Sequence, residues 1–216
     1  MAPACAAQLP KLVGMSAFAK LPFARGVWAI GSDLANAEEA KQWALSLADA
    51  ACLTLRRPPS PDAEALATWR ELFTHPKGLA VHARLDLALL HPTAGVIAGV
   101  RSLPVPELRR LLPAPRALGV SVHDTEEAKA AQADGADYLI FGPVWETPEK
   151  AGILPARGMQ ALENLVHATQ LPVVAIGGIA QEHQVRQAQE AGAQAVAVLR
   201  AARDPQRFAA LCQAWS

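Results

Sequence analysis

The residues of this chain that could do chemistry sit just past short apolar runs. In AIGGIAQEH, Gly177 and Gly178 end one such run and precede a helical pattern, an arrangement that turns backbone N–H groups and a positive helix end toward an anion. The next run ends AVAVLRAA, so Leu199 and Arg200 open a second turn beside the first, where a guanidinium could grip a phosphate through paired hydrogen bonds. The same residues also read as a tight turn and a solvated strand end. His82 closes the run GLAVH with an imidazole suited to proton transfer near neutrality, although a lone histidine is as readily a packing residue. Ser121 and His123 alternate in GVSVHDTEEA and share one side of a strand. Ser121 offers a ligand a hydroxyl, whereas His123 reads as part of a helix start capped by Asp124 or Thr125. Arg56 ends the run CLTLR.

The segment GPVWETPEKAGILPARG, residues 142–158, is the longest connection between an apolar run and a helical pattern. Long loops in small domains usually carry function. Its Lys150 and Arg157 could close over an anionic ligand, and Glu146 could orient Lys150 or handle a proton. A solvated, charge-balanced loop is the alternative reading.

These groups need elements to position them. Apolar runs recur at 27–31, 52–56, 78–82, 95–99, 118–123, 137–142, 171–178 and 195–200. Without strict alternation, they fit parallel strands buried on both faces. Between them, NAEEAKQWALSLADA, PDAEALATWRELF, DTEEAKAAQADGA, GMQALENLVHAT and QEHQVRQAQEAGA carry apolar residues at helical spacing, and DPQRFAALCQAW closes the chain. Several open on proline or a capping residue and two close on glycine. Eight strand–helix units at this length predict an α/β fold, a single-domain (βα)8 TIM barrel over residues 26–216 after an N-terminal extension, residues 1–25. An open doubly wound sheet is the structural alternative. In a barrel, the strand ends named above converge on one mouth.

Composition narrows the partners. The chain has 216 residues, 20 basic and 20 acidic, so no net field gathers nucleic acid or an anionic membrane surface. No apolar run reaches the ~18 residues of a membrane span. Cys5, Cys52 and Cys212 are scattered and make none of the close pairs used by zinc sites or disulfide frameworks, which points to reduced thiols, a cytoplasmic location and no metal or other cofactor.

The long stretch GVSVHDTEEAKAAQADGADYLIFGPVWETPEKAGILPARG, followed by LPVVAIGGI and AGAQAVAVL, resembles the thiamine-phosphate synthase / TenI family of (βα)8 proteins. The resemblance covers residues 78–202 specifically and 26–77 more weakly. It implies binding of a thiazole phosphate or thiamine phosphate, with Gly177, Gly178, Leu199 and Arg200 at the phosphate and Arg56, Ser121, Thr147 and Lys150 as further contacts. Members often associate as dimers, so a homodimer is one expectation.

Family synthases join a pyrimidine diphosphate to a thiazole phosphate, using acidic residues that hold magnesium. At those positions this chain has Ala83 and Ser102, with His82 and Val100 replacing an asparagine and a glutamine. Of the Gln-x-Arg-x-Lys pattern only Arg56 remains, Thr54 and Pro58 standing at the other places. The TenI branch includes metal-independent thiazole tautomerases, and its Glu-Thr-x-x-Lys-x-Gly…Arg-Gly signature is similar to Glu146, Thr147, Lys150, Gly152, Arg157 and Gly158 here. The branch's acid/base histidine is replaced by Pro143, which carries no proton to exchange and no backbone N–H. The resemblance therefore leads to an expectation of a TenI-like, tautomerase-type isomerase, with His82 and Glu146 as catalytic residues. A synthase and a non-catalytic ligand-binding protein stand as the alternatives.

Overall fold

A strand that is apolar on both faces must be covered on both, and here barrel closure supplies one cover and a ring of helices the other. The computed structural model describes residues 24–57, 62–75, 78–150 and 152–216. Within them β1 (Gly26–Ser32), β2 (Cys52–Arg56), β3 (Gly78–His82), β4 (Gly95–Ala98), β5 (Leu118–Val122), β6 (Tyr138–Phe141), β7 (Val173–Ile176) and β8 (Ala195–Val198) pair in parallel and in chain order. β8 closes on β1 in the register Gly26 to Ala195 through Ala29 to Val198. The predicted (βα)8 barrel is the fold, and the open-sheet alternative falls away. Of the predicted extension, residues 1–23 lie outside the described residues.

The helices are α1 (Ala37–Ser46), α2 (Asp62–Glu71), α3 (Leu85–Leu89), α4 (Val105–Leu111), α5 (Thr125–Ala133), α6 (Met159–Ala168), α7 (Glu182–Glu190) and α8 (Pro205–Trp215). Capping chemistry fixes several starts. Asn36 accepts from the Glu39 amide at 2.9 Å, Asp124 from Glu127 at 2.8 Å, and Asp204 from Gln206 and Arg207 ahead of a helix that opens on Pro205. Two helices were not expected from the sequence. α3 is 5 residues long with no side-chain cap, too short to show a period. α4 follows Pro104 and holds Pro106 in its first turn, where proline fits a helix start as well as it fits a turn.

Alternation along each strand sorts the core into two layers. Val27, Leu53, Val81, Val96, Leu139 and Val196 pack outward against the helices. Trp28, Ile30, Ala80, Ile97, Ile140 and Ala197 fill the barrel interior. Near its N-terminal end Trp28 and Tyr138 meet edge to face, with centroids 5.4 Å apart and planes at 71°. The Tyr138 ring lies so close over Gly119 that a Cβ there would come within 2.3 Å of it. That aromatic plug seals the floor and leaves the chemistry to the opposite rim. Cys52 is buried in the interior as a free thiol, and burial pushes its pKa up, consistent with packing rather than reactivity. Among the described residues, no helix is long and apolar enough to cross a membrane.

Candidate active site

All eight strands contribute to one cavity of about 570 Å³ at their C-terminal ends. Isoleucines 30, 97, 140 and 176 form its throat. Arg56, His82, Ser121, Thr147, Lys150, Gly177, Gly178, Leu199 and Arg200, all named from the sequence, line it together. Glu146 and Arg157 do not.

The glycine pair is shaped by a close approach. Gly177 and Gly178 have φ of 102° and 71°, in the region that favours glycine. The chain after β6 runs alongside, with the Val144 amide donating to Ile176 O at 2.9 Å and the Trp145 amide to Gly177 O at 3.1 Å. A Cβ on Gly177 would lie 2.5 Å from Pro143, and one on Gly178 would lie 2.6 Å from Glu146 O and Trp145. The helix after this turn starts four residues beyond Gly178. α7 begins at Glu182, and the Gln184 side chain accepts from the Ala180 and Gln181 amides at 2.8 and 3.0 Å. Those two amides, which precede the helix, are satisfied within the protein. The amides of Gly178, Ile179, Leu199 and Arg200 donate to no protein acceptor among the described residues, which leaves open donors on two adjacent turns.

The chain is neutral overall, yet its mouth is basic. Among the described residues, Arg56, Arg57, Arg101, Lys150 and Arg200, five cations, line the cavity against one carboxylate, Glu149. Burial and the neighbouring guanidiniums of Arg57 and Arg101 pull Arg56 below its ordinary pKa, while Glu149 and Asp33 act the other way. It remains a cation, since a guanidinium stays protonated throughout the accessible range. Glu149 accepts from the Thr147 hydroxyl and lies 3.6 Å from Arg200 Nε. Those contacts, the Thr147 hydrogen bond first, hold its carboxyl below the usual range, so it is anionic at neutral pH.

The two residues expected to move protons meet obstacles. His82 sits against Thr54 Oγ1 at 3.3 Å, and burial together with Arg56 drives its pKa down to about 3. Its imidazole is neutral at physiological pH and offers hydrogen bonds rather than a readily exchanged charge. Glu146 is exposed outside the cavity, and its carboxylate accepts from the Ala156 amide at 3.3 Å, clasping the long loop shut. The 3-10 turn Pro148–Lys150 instead carries Glu149 and Lys150 inward. Sequence reasoning missed Glu149, Arg57 and Arg101, and set His123 aside although it lines the cavity, paired with Glu127 at 3.0 Å. Its alternation with Ser121 was the available signal.

The magnesium that the family resemblance implies finds no carboxylate shell here. Ala83 offers a methyl group, and the Ser102 hydroxyl accepts from the Gly99 amide at 3.0 Å, closing its own turn. Among the described residues no group of three His, Cys, Asp or Glu could hold a metal ion. Hard divalent cations need several oxygen ligands, and those of the family pattern are missing.

Fold and site together define a (βα)8 barrel with a basic mouth, a floor filled by aromatic rings and open backbone amides on the turns after the last two strands. The family model described as thiamine monophosphate synthase (TMP-TENI) matches residues 29–202, and the chain belongs to that family, whose setting is thiamine biosynthesis. Thiamine-phosphate synthase of Anaeromyxobacter dehalogenans is 44% identical over 153 residues, 69% of this chain and 66% of that protein. The enzyme of the same name from Methanoculleus marisnigri is 37% identical over 174 residues, 80% of this chain and 82% of the relative. The match to the Shouchella clausii relative spans only 56% of its length. Among solved structures, thiamine phosphate pyrophosphorylase from Pyrococcus furiosus superposes with a TM-score of 0.74 at 26% identity, covering 88% of this chain and 95% of that one.

Proposed function

We propose that this protein joins a pyrimidine diphosphate to a thiazole phosphate, as a thiamine-phosphate synthase. The observation that carries the reading is the charge layout of the cavity. Glycine-turn amides and Arg200 stand after β7 and β8, while Arg56 and Arg57 stand at the end of β2 and Arg101 after β4, around the same mouth. Two anionic substrates can then take separate groups of donors with their rings over the isoleucine throat.

The reaction class suits the side chains present. The carbon–oxygen bond to the diphosphate breaks with its electron pair leaving on the diphosphate, and the thiazole nitrogen lone pair forms the new carbon–nitrogen bond. No proton changes hands, so a neutral His82 and a proline at position 143 are compatible with it. The work of the protein is to place the two reactants and to stabilise the charge gathering on the leaving group. Lys150 and Ser121 are the remaining contacts we assign to the substrates.

A tautomerase-type isomerase, the expectation from the loop signature, needs a group that accepts and returns a proton. With Glu146 outside the cavity and His82 held neutral, that reading has weaker support than the synthase. One experiment separates the readings: purified protein is incubated with both synthase substrates and, separately, with the unaromatised thiazole carboxylate phosphate, and products are followed by chromatography. Thiamine phosphate in the first incubation is the expected result. Product only in the second would replace the proposal with the isomerase. Tight thiazole phosphate binding with neither product would replace it with a ligand-binding protein.

A further inference from the structure

Where the family pattern has acidic magnesium ligands this chain has Ala83 and Ser102, and Arg57 and Arg101 line the same cavity. We propose that Arg57 and Arg101, together with Arg56, take the place of the metal and hold a diphosphate group directly. This inference rests on the synthase reading for its biological meaning but makes a separate statement about binding.

Placement is the first support. Arg57 follows β2 and Arg101 follows β4, so they flank β3 and the His82–Ala83 corner from both sides and line one cavity with it. Arg101 is next in the chain to Ser102, the residue standing where a magnesium ligand is expected. Backbone geometry is the second. Arg57 has φ of 53° and Ala83 of 59°, left-handed conformations that are unfavourable for a residue with a Cβ and that concentrate at functional sites. The turn at Arg57 ends the strand and brings two consecutive guanidiniums to the rim.

Charge is the third support. Among the described residues neither Arg57 nor Arg101 has a carboxylate within ion-pair distance, so both are free to meet an anion. The effect of Arg57 and Arg101 on the titration of Arg56 shows that the three charges share one field. Guanidiniums match a diphosphate well, because each presents a planar fork of donors that can engage two oxygens at once and stays charged at any accessible pH. A cluster of such forks neutralises a multiply charged leaving group without a hard cation.

The test uses the full chain and inorganic diphosphate as the probe, by titration calorimetry in buffer containing a chelator. Wild-type protein is expected to bind without metal, and adding millimolar magnesium should not tighten binding. The double variant R57A/R101A is expected to bind roughly 100-fold more weakly, since each charge-assisted contact contributes about a tenfold factor. R57K/R101K, which keeps the charge and loses the fork, should fall between the two. Circular dichroism and the unfolding midpoint of each variant establish that it folds. If the alanine variant fails to fold, the lysine variant alone decides, and wild-type affinity in it overturns the proposal. Binding that appears only with magnesium, or R57A/R101A binding like wild type, also overturns it. Metal-free diphosphate binding with no thiamine phosphate formed would sink the synthase reading and leave this one. Magnesium-dependent thiamine phosphate formation would do the reverse.

Discussion

Replacing Glu149 with glutamine tests the charge layout of the mouth most directly. Among the described residues Glu149 is the one carboxylate that lines the cavity, and its oxygen lies 3.6 Å from Arg200 Nε, on the residue that should meet the thiazole phosphate. An anion bound at Arg200 therefore sits within a few ångströms of a like charge. At such a distance the repulsion is about 4 kcal/mol at an effective dielectric of 20 and about 1 kcal/mol in bulk water. Because the two side chains are 30% and 53% exposed, the lower part of that range applies, about 1–2 kcal/mol, or roughly 5- to 30-fold in affinity. Glu149→Gln keeps a hydrogen-bond acceptor for Thr147 and removes only the charge. Inorganic phosphate should bind more tightly to E149Q at low salt, with the gain shrinking at about 1 M salt, where the screening length falls to about 3 Å. The cost in stability should be small, under about 1 kcal/mol, as for other exposed ion pairs. Calorimetry at two ionic strengths measures the first effect and urea unfolding the second. Unchanged or weaker phosphate binding in E149Q would refute the reasoning, because it would mean that Glu149 helps the ligand rather than competing with it.

Two further outcomes follow from the same geometry. His82 has a folded pKa near 3 against an ordinary 6.5, so the unfolded chain binds the extra proton first as the medium is acidified. Its contribution to stability is complete above about pH 6.5 and is lost progressively toward pH 3; between pH 7 and 5 the loss should be about 1–2 kcal/mol, absent in His82→Asn, as read by urea unfolding at both values. Gly178→Ala puts a Cβ 2.6 Å from Glu146 O at a φ of 71°, so unfolding should be easier by about 2 kcal/mol or more and phosphate binding at the turn should be lost; wild-type values in both assays would show that the turn is not tightly packed.

The barrel was legible because its signal repeats. Eight apolar runs with capped helical segments between them leave few alternatives, and where the reading failed the cause was local. α3 has too few residues to show a period, and the prolines that start α4 also mark turns. The strand-end rule located Arg56, His82 and Ser121 on the strands and Gly177, Gly178, Leu199 and Arg200 just past them, because the parallel strands of a barrel bring their C-terminal ends to one mouth. It could not decide residues farther along the loops. Glu146 and Glu149 are three apart in one loop, and only the 3-10 turn at Pro148–Lys150 determines that the second faces the cavity and the first faces away. Arg57 escaped notice because its inward placement depends on a left-handed turn that composition does not announce. The depressed pKa of His82 depends on Arg56 and on burial, neither of which is written in the tripeptide around it.

The stopper made by Trp28 and Tyr138 has a consequence for traffic. With the far end of the barrel filled, the cavity opens at the C-terminal rim alone among the described residues, so a body docked across that rim would cut it off from solvent.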